Sequence, residues 1–156
     1  MSRRKDILLR FKEVLEGTEG IAGVCFRMMN YSECNGFPWL MIFSGGAAES
    51  VGFESPESWE DRMSVIVRGW VKETADQIGE DIVFVDAVCQ MEDVIETIRA
   101  AIIDDYLSSA SGALGTMDII MTPGEVRETD SGILSEIGMA YFELQFPVRI
   151  MNYHYD

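Results

Sequence analysis

The sequence predicts an α+β fold in which a mainly antiparallel β-sheet carries two helices on one face and ends in a long C-terminal strand. Residues 138–151 place apolar side chains at every second position, which is typical of a half-buried strand. Two further segments, residues 4–16 and 85–107, carry apolar residues at helical spacing. Strand-like segments lie in runs between these helices, and that order favours α+β over alternating βαβ units.

Length and composition fit one globular domain that spans residues 1–156. The chain is 47% hydrophobic, and no apolar run approaches the roughly 18–20 residues that cross a bilayer, so we expect no membrane contact. Its net charge of −15 is uneven, because residues 1–12 carry +4 and the remainder carries −19. A surface this acidic repels nucleic acid and anionic membranes.

The first predicted element is an amphipathic helix over residues 4–16, which Gly17 ends. The cations Arg3, Arg4 and Lys5 stand at its start, where they oppose the helix dipole. We interpret them as candidates for a contact with an acidic neighbour. The apolar stripe of this helix consists of Ile7, Leu8, Phe11, Val14 and Leu15.

Two strands and a long acidic loop follow in the prediction. Residues 22–29 and 39–43 have the apolar pattern of strands. Residues 44–61 are rich in glycine and acidic residues, with Phe53 and Trp59 as their only large apolar groups. We expect this loop to be mobile in the free protein and to become ordered on a partner through those two side chains.

The second half of the chain is predicted to contain one strand, one helix and three further strands. The helix has the longest apolar stripe of the sequence and an exposed acidic face that includes Asp104 and Asp105. The predicted boundaries are residues 62–72 for the strand, 74–81 for a polar loop, 85–107 for the helix, and 116–122, 125–129 and 138–151 for the last three strands.

The last strand carries a prediction about assembly. Pro147 lies on its outward face and cannot donate a ladder hydrogen bond, which predicts that the strand lies at an edge of the sheet or is bulged at this residue. Met139, Tyr141 and Met151 share that outward face and suit an interface better than solvent. A long edge strand invites pairing with another chain, so we expect a homo-oligomer.

The sequence contains no recognisable set of catalytic residues. It holds no phosphate-binding glycine loop, no GxGxxG and no GxSxG, and His154 is its only histidine. Cys25, Cys34 and Cys89 form no CxxC pair, so we interpret them as reduced thiols. We therefore predict that the protein is not an enzyme and has no catalytic residue, cofactor or metal site.

The order of elements and several segments resemble the tail-terminator proteins of tailed bacteriophages, the minor tail protein U-like family. The likeness rests on patterns of hydrophobicity across most of the chain and not on invariant catalytic residues. The segments that carry it are the N-terminal helix with Ile7, Leu8, Phe11 and Leu15, the strand 38–42 that Pro38 begins, the strand 62–71, the helix 95–107 with its paired acids, and the alternating strand 141–153.

The resemblance implies a structural protein that assembles as a six-membered ring, caps the finished tail tube, stops further tube subunits from adding and offers the surface for head–tail joining. It implies the tail tube protein and head–tail connector proteins as partners, with genome DNA passing through the lumen without specific binding. The protein would reside in the virion after assembly in the host cytoplasm. The acidic segments 44–61 and 73–86 depart from the family pattern. The candidate interface residues are Arg3, Arg4, Lys5, Phe53, Trp59, Met139, Tyr141 and Met151.

Two other interpretations stay open. A head–tail connector or tail-completion protein of the neck fits the same order of elements. An acidic inhibitor that mimics DNA would use the charge of −15 directly, yet the carboxylates scatter through predicted loops and do not follow a phosphate spacing. A ring seen by mass photometry would favour a phage protein, whereas a compact dimer would favour the mimic or an enzyme.

Overall fold

A computed structural model of the protein describes residues 3–45, 50–55, 58–78 and 81–153. Within them lie two α-helices and nine strands, and seven of the strands form one sheet. The helices are α1 (Arg3–Glu16) and α2 (Ala87–Tyr106). The strands are β1 (Gly23–Cys25), β2 (Trp39–Gly45), β3 (Ser50–Ser55), β4 (Ser58–Lys72), β5 (Thr74–Ile78), β6 (Asp81–Val85), β7 (Ile119–Ile120), β8 (Arg127–Leu134) and β9 (Met139–Tyr153).

The sheet has the order β1-β2-β4-β9-β7, with β3 beside β4 and β8 beside β9. Each of its pairs is antiparallel except β1 with β2. Strands β5 and β6 form a separate antiparallel hairpin. The predicted α+β class with a mainly antiparallel sheet is therefore confirmed.

The long last strand lies in the middle of the sheet. β9 pairs with β4 along its full length, from Met139 opposite Lys72 to Tyr153 opposite Ser58. Its other side pairs with β7 and β8, so the prediction of an edge strand is wrong. The predicted alternation is confirmed, because side chains at every second position of β9 are buried. They are Ala140, Phe142, Leu144, Phe146, Val148 and Ile150.

A gap between β7 and β8 explains how a proline occupies this central strand. On that side of β9, the last β7 residue pairs with Arg149 and the first β8 residue pairs with Gln145, so no described strand faces Pro147 there. A proline within a fully paired strand loses a ladder hydrogen bond. The unpaired flank makes position 147 the part of β9 that best tolerates a missing N–H.

Both helices pack on one face of the sheet and share a single apolar core with it. α1 contributes Ile7, Phe11 and Leu15, which are at most 1% exposed. The ring of Phe11 meets the ring of Phe146 edge to face, with centroids 5.4 Å apart. Because full burial of a Phe side chain contributes about 1.5–3 kcal/mol, this contact anchors α1 to the centre of the sheet.

Asp86 determines where α2 begins. Its side chain accepts a hydrogen bond from the backbone N–H of Cys89 at 2.9 Å, which is the geometry of a helix N-cap. Hydrogen bonds from Cys89 hold the pKa of Asp86 below its usual value. The predicted start at residue 85 is therefore early, since Val85 belongs to β6.

Two predicted loops contain strands. The prediction that residues 44–61 form a loop is wrong, because β2 continues to Gly45 and because β3 and β4 pair as a hairpin with Ser55 opposite Ser58. The ordering of this segment on a partner stays a prediction. Residues 46–49 and 56–57 of that segment lie outside the described residues. The predicted loop 74–81 is likewise replaced by strand β5 and the start of β6. The polar composition of both segments hid their strands, since strand preference depends largely on the neighbouring strand.

Other strand boundaries shift more modestly. β1 covers only three residues of the predicted strand 22–29, and Phe26 and Met28 beyond it are 42% and 57% exposed. The predicted strands 116–122 and 125–129 correspond to β7, of two residues, and β8, of eight.

Within the described residues, neither helix combines the length and apolar character that crossing a membrane requires.

Candidate assembly surfaces

The basic start of the chain fastens α1 to the end of the sheet. Arg3 donates one hydrogen bond from Nη1 to the carbonyl of Met151 at 2.7 Å and another from Nη2 to the carbonyl of Met117. Arg4 donates from Nη2 to the carbonyl of Arg62 at 3.0 Å. These charge-assisted bonds explain why cations stand where the helix dipole disfavours them. Two of the candidate interface residues, Arg3 and Met151, are thus brought together within one chain.

Met139 does not lie on an exposed face. Its side chain is 3% exposed, so the outward position predicted for it is wrong. Met139 pairs with Lys72 of β4 on one side and with Leu134 of β8 on the other. An edge strand would have a neighbour on one side only, so the prediction left this residue too exposed. Met151, by contrast, is half-buried.

Tyr141 belongs to an aromatic row on the sheet face opposite the helices. The ring of Trp70 lies edge-on to Tyr141 and to Tyr31, with centroids 5.7 and 5.6 Å away. Nε1 of Trp70 donates a hydrogen bond to the carbonyl of Met29 at 2.9 Å. Gly132 leaves space for Tyr141, since a Cβ at Gly132 would come within 2.5 Å of the phenol oxygen. The row therefore gives Tyr141 its packing partners within the chain.

The two aromatic residues of the predicted acidic loop lie on strands. Phe53 belongs to β3, and Trp59 belongs to β4, where it is opposite Asn152. Lys5 is exposed on α1. For these three residues, contact with a partner stays a prediction.

The end of β8 and the turn after it carry exposed apolar side chains. Ile133, Leu134 and Ile137 are 55%, 37% and 43% exposed. Glu136 stands among them in the turn and is also exposed. We call Ile133, Leu134, Glu136 and Ile137 the ridge. Large apolar side chains that are close together and exposed indicate a contact surface.

β8 is also an edge strand of the sheet. Among the described strands it pairs only with β9, so its other side faces away from the sheet. Seven of its eight residues are exposed, so neither sheet face is covered there. An edge of this kind presents unpaired backbone groups to which a second chain can add. The molecule thus has a long edge strand, but it is β8 and not β9.

A groove lies between α1 and β2, at the opposite edge of the sheet. Leu9 of α1, Phe26 after β1 and Phe43 of β2 line it, and we call these three residues the groove. Leu9 and Phe26 are 44% and 42% exposed. Lys5 lines the same cavity, and Nζ of Lys12 lies 5.7 Å from the centre of the Phe26 ring. The groove is therefore apolar with cations beside it.

Arg10 of α1 and Asp105 of α2 form a two-pronged ion pair. Nε and Nη2 of Arg10 donate to the two carboxylate oxygens of Asp105 at 2.9 and 2.6 Å, and the N–H of Leu114 donates to the same carboxylate at 2.9 Å. Burial raises the pKa of Asp105, but these hydrogen bonds and the charge of Arg10 outweigh it and leave the pKa below its usual value. The prediction that Asp105 lies on a solvated helix face is wrong, because its side chain is only 11% exposed.

Side chains able to bind a metal do not converge in the part of the chain that the structure describes. No three His, Cys, Asp or Glu side chains come together there as metal ligands would. His154 lies outside the described residues. The three cysteines are free thiols, and burial raises the pKa of the Cys34 thiol, which disfavours the reactive thiolate.

Sequence reasoning missed both the ridge and the groove. Ile133, Leu134 and Ile137 lie between Gly132 and Gly138 in a segment without a strong period, so none of them was assigned to a face. The available signal was a cluster of large apolar residues outside every predicted element. Phe26 was missed because the strand predicted over it ends one residue earlier.

Fold and surfaces together define a class of protein: an α+β protein whose sheet carries different exposed apolar surfaces at its two edges. No protein-family model matches this chain, and no curated protein sequence is significantly similar to it. The ridge, the groove and the open edge of β8 are therefore the features from which a function follows.

Proposed function

We propose that this protein is a structural subunit of a bacteriophage tail, which forms a ring on the end of the tail tube, terminates its polymerisation and provides the surface for head–tail joining. One observation carries the proposal: the ridge lies at one edge of the sheet and the groove at the opposite edge. Two different surfaces on opposite sides of a subunit suit head-to-tail assembly, which closes into a ring when the rotation between neighbours permits.

A head-to-tail ring also supports the task of ending a polymer. All subunits in such a ring point the same way around its axis, so its two rims differ from each other. One rim can bind the last layer of the tail tube protein while the other offers no equivalent site to the next tube subunit. The second rim is then available to the head–tail connector.

The net charge of the chain suits the passage of DNA. Six copies, the number implied by the sequence resemblance, would together carry about −90, since each chain carries −15. Carboxylates along the lumen would repel the phosphate backbone, so that the genome passes without specific binding.

The same geometry supports a second candidate, a head–tail connector or tail-completion ring of the neck. Such a ring also needs two different surfaces per subunit. The property that separates the two candidates is an effect on the growth of the tail tube, which the terminator stops and the neck protein leaves unchanged.

The experiment combines the purified protein with polymerising tail-tube subunits of the same phage and measures tube lengths by negative-stain electron microscopy. We expect shorter tubes with a ring at one end, at amounts well below one protein per tube subunit. Tubes of unchanged length, from a protein that forms rings on its own, would assign it to the neck. A protein that forms no ring at any concentration, alone or on tubes, would contradict both candidates.

A further inference from the structure

We propose that the ridge of one copy docks in the groove of a second copy of this chain. Ile133 and Ile137 would lie against Leu9 and Phe26 of the neighbour, with Glu136 beside the lysines of the groove. The inference rests on the proposed ring and names the two surfaces that would build it. Its first support is that both surfaces are apolar and exposed in the single chain, with Ile133, Leu9 and Phe26 each more than 40% exposed.

Charge complementarity is the second support. Lys5 and Lys12 flank the groove, whereas Glu136 stands in the ridge and Glu128 and Asp130 precede it on β8. Lys12 already pairs with Glu16 one turn along α1. An exposed pair of this kind contributes little, so Lys12 can exchange it for a carboxylate of the neighbour without a large loss. Complementary charges around an apolar contact mainly set its specificity and register.

The positions of the two surfaces prevent the ridge from contacting the groove of the same molecule. Strands β4 and β9 lie between β2, which lines the groove, and β8, which carries part of the ridge. Three strand spacings of about 4.8 Å therefore separate β2 from β8, so a ridge cannot reach its own groove. A two-fold dimer would use one identical patch twice, whereas ridge-in-groove contact uses each patch once and leaves one of each free for the next copy.

The test uses two variants that each lose one surface. Ile133→Glu with Ile137→Glu removes the ridge, and Leu9→Glu with Phe26→Glu removes the groove. All four side chains are exposed, so both variants are expected to keep the wild-type circular dichroism. Should either variant misfold, serine replaces glutamate at the same positions. The matched control is Leu107→Glu, an apolar residue of 74% exposure that belongs to neither surface.

Sedimentation velocity then measures assembly. Wild type and Leu107→Glu should form the ring, and each double variant alone should sediment as a monomer. An equimolar mixture of the two double variants should form a heterodimer of twice 17.5 kDa and nothing larger, because one partner supplies the only intact ridge and the other the only intact groove. Glu136→Lys alone should weaken ring assembly about threefold to tenfold.

Three results would overturn the inference, and they differ in what they say of the proposed function. Rings of wild-type size from either double variant would refute the ridge-in-groove contact while leaving the ring itself in place. A wild-type protein that stays monomeric and leaves tail tubes uncapped would refute the ring and the contact together. A mixture that stays monomeric while the wild type forms rings would also refute the contact.

Discussion

Arg10 and Asp105 join the two helices through paired hydrogen bonds of 2.9 and 2.6 Å between guanidinium and carboxylate. The same carboxylate accepts the N–H of Leu114, so one side chain holds α1, the last turn of α2 and the segment after it. Bidentate, charge-assisted bonds at a position of low exposure are stronger than ordinary surface ion pairs. The Asp105 carboxylate therefore joins α1, α2 and the segment that follows α2 through hydrogen bonds.

Replacing Asp105 should lower stability measurably. Asp105→Asn removes the charge while keeping the shape, and we expect the free energy of unfolding to fall by about 1.5–3 kcal/mol. Urea denaturation at pH 7 measures the change. Asp104→Asn is the matched control, because Asp104 is exposed and should change stability by less than about 0.5 kcal/mol. Equal effects of the two substitutions would contradict the role assigned to Asp105.

The contribution of Asp105 should also depend on pH. Its pKa in the folded protein lies below the usual value, so the unfolded chain takes up the proton first as the pH falls. The stabilisation is fully present above the unfolded pKa of about 3.9 and disappears as the pH falls through the lower, folded pKa. The difference in unfolding free energy between wild type and Asp105→Asn should therefore shrink steadily below about pH 4. A difference that stays constant down to pH 2 would speak against the ion pair.

Arg3 should hold the end of β9 in place. Arg3→Gln weakens the bonds to the carbonyls of Met151 and Met117, so amide hydrogen exchange should accelerate in β7 and at the end of β9. Mass spectrometry of peptides from these strands reads the effect. Arg4→Gln is the control, since Arg4 bonds the carbonyl of Arg62 at an exposed position and should leave these peptides unchanged.

Met139 and Leu107 should differ in their tolerance of a charge. Met139→Lys places an ammonium at a position of 3% exposure, and we expect a loss of about 3 kcal/mol or more and a lower Tm. Leu107→Lys places the same group at a position of 74% exposure that belongs to neither the ridge nor the groove, and it should leave the Tm nearly unchanged. Thermal denaturation followed by circular dichroism distinguishes the two. A Met139→Lys protein with wild-type stability would show that the residue faces solvent.

Phe146 should be among the most sensitive core positions. Phe146→Ala removes the edge-to-face partner of Phe11 from a fully buried site, and we expect a loss of about 3–5 kcal/mol from the lost burial and the cavity. Chemical denaturation measures it. Leu107→Ala is the control at a position of 74% exposure that belongs to neither the ridge nor the groove, where the loss should stay below about 1 kcal/mol.

The features that sequence predicted correctly are those with a local period. The helices α1 and α2 and the alternation of β9 follow from spacings of 3.6 and 2, which neighbouring residues reveal on their own. The partners of a strand are set by residues far away in the chain, and the sequence pattern contains no signal for them. Thus Pro147 suggested an edge, while the structure places it at a gap between two strands on one flank of a central strand.

The sequence also could not predict which side chains contact each other in the folded protein. Asp105 carries the same letter and local spacing as Asp104, yet only one of them meets an arginine that lies 95 residues earlier. The ridge could not be predicted for a related reason. Its side chains are exposed because β8 is the outermost strand on that side of the sheet. Both features arise from tertiary placement, which local propensity does not encode.

The central position of β9 has a consequence for synthesis on the ribosome. β9 joins β4 to β7 and β8, yet it follows all of them along the chain. A nascent chain that has reached the end of β8 holds both helices and most strands, but it lacks the strand that unites them. Translation must deliver Met139–Tyr153 before the sheet is complete, and until then the edge of β4 that pairs with β9 lacks its partner strand. Folding of this sheet therefore waits for the synthesis of β9, and a chain that stalls before Met139 would expose apolar surface to chaperones and proteases.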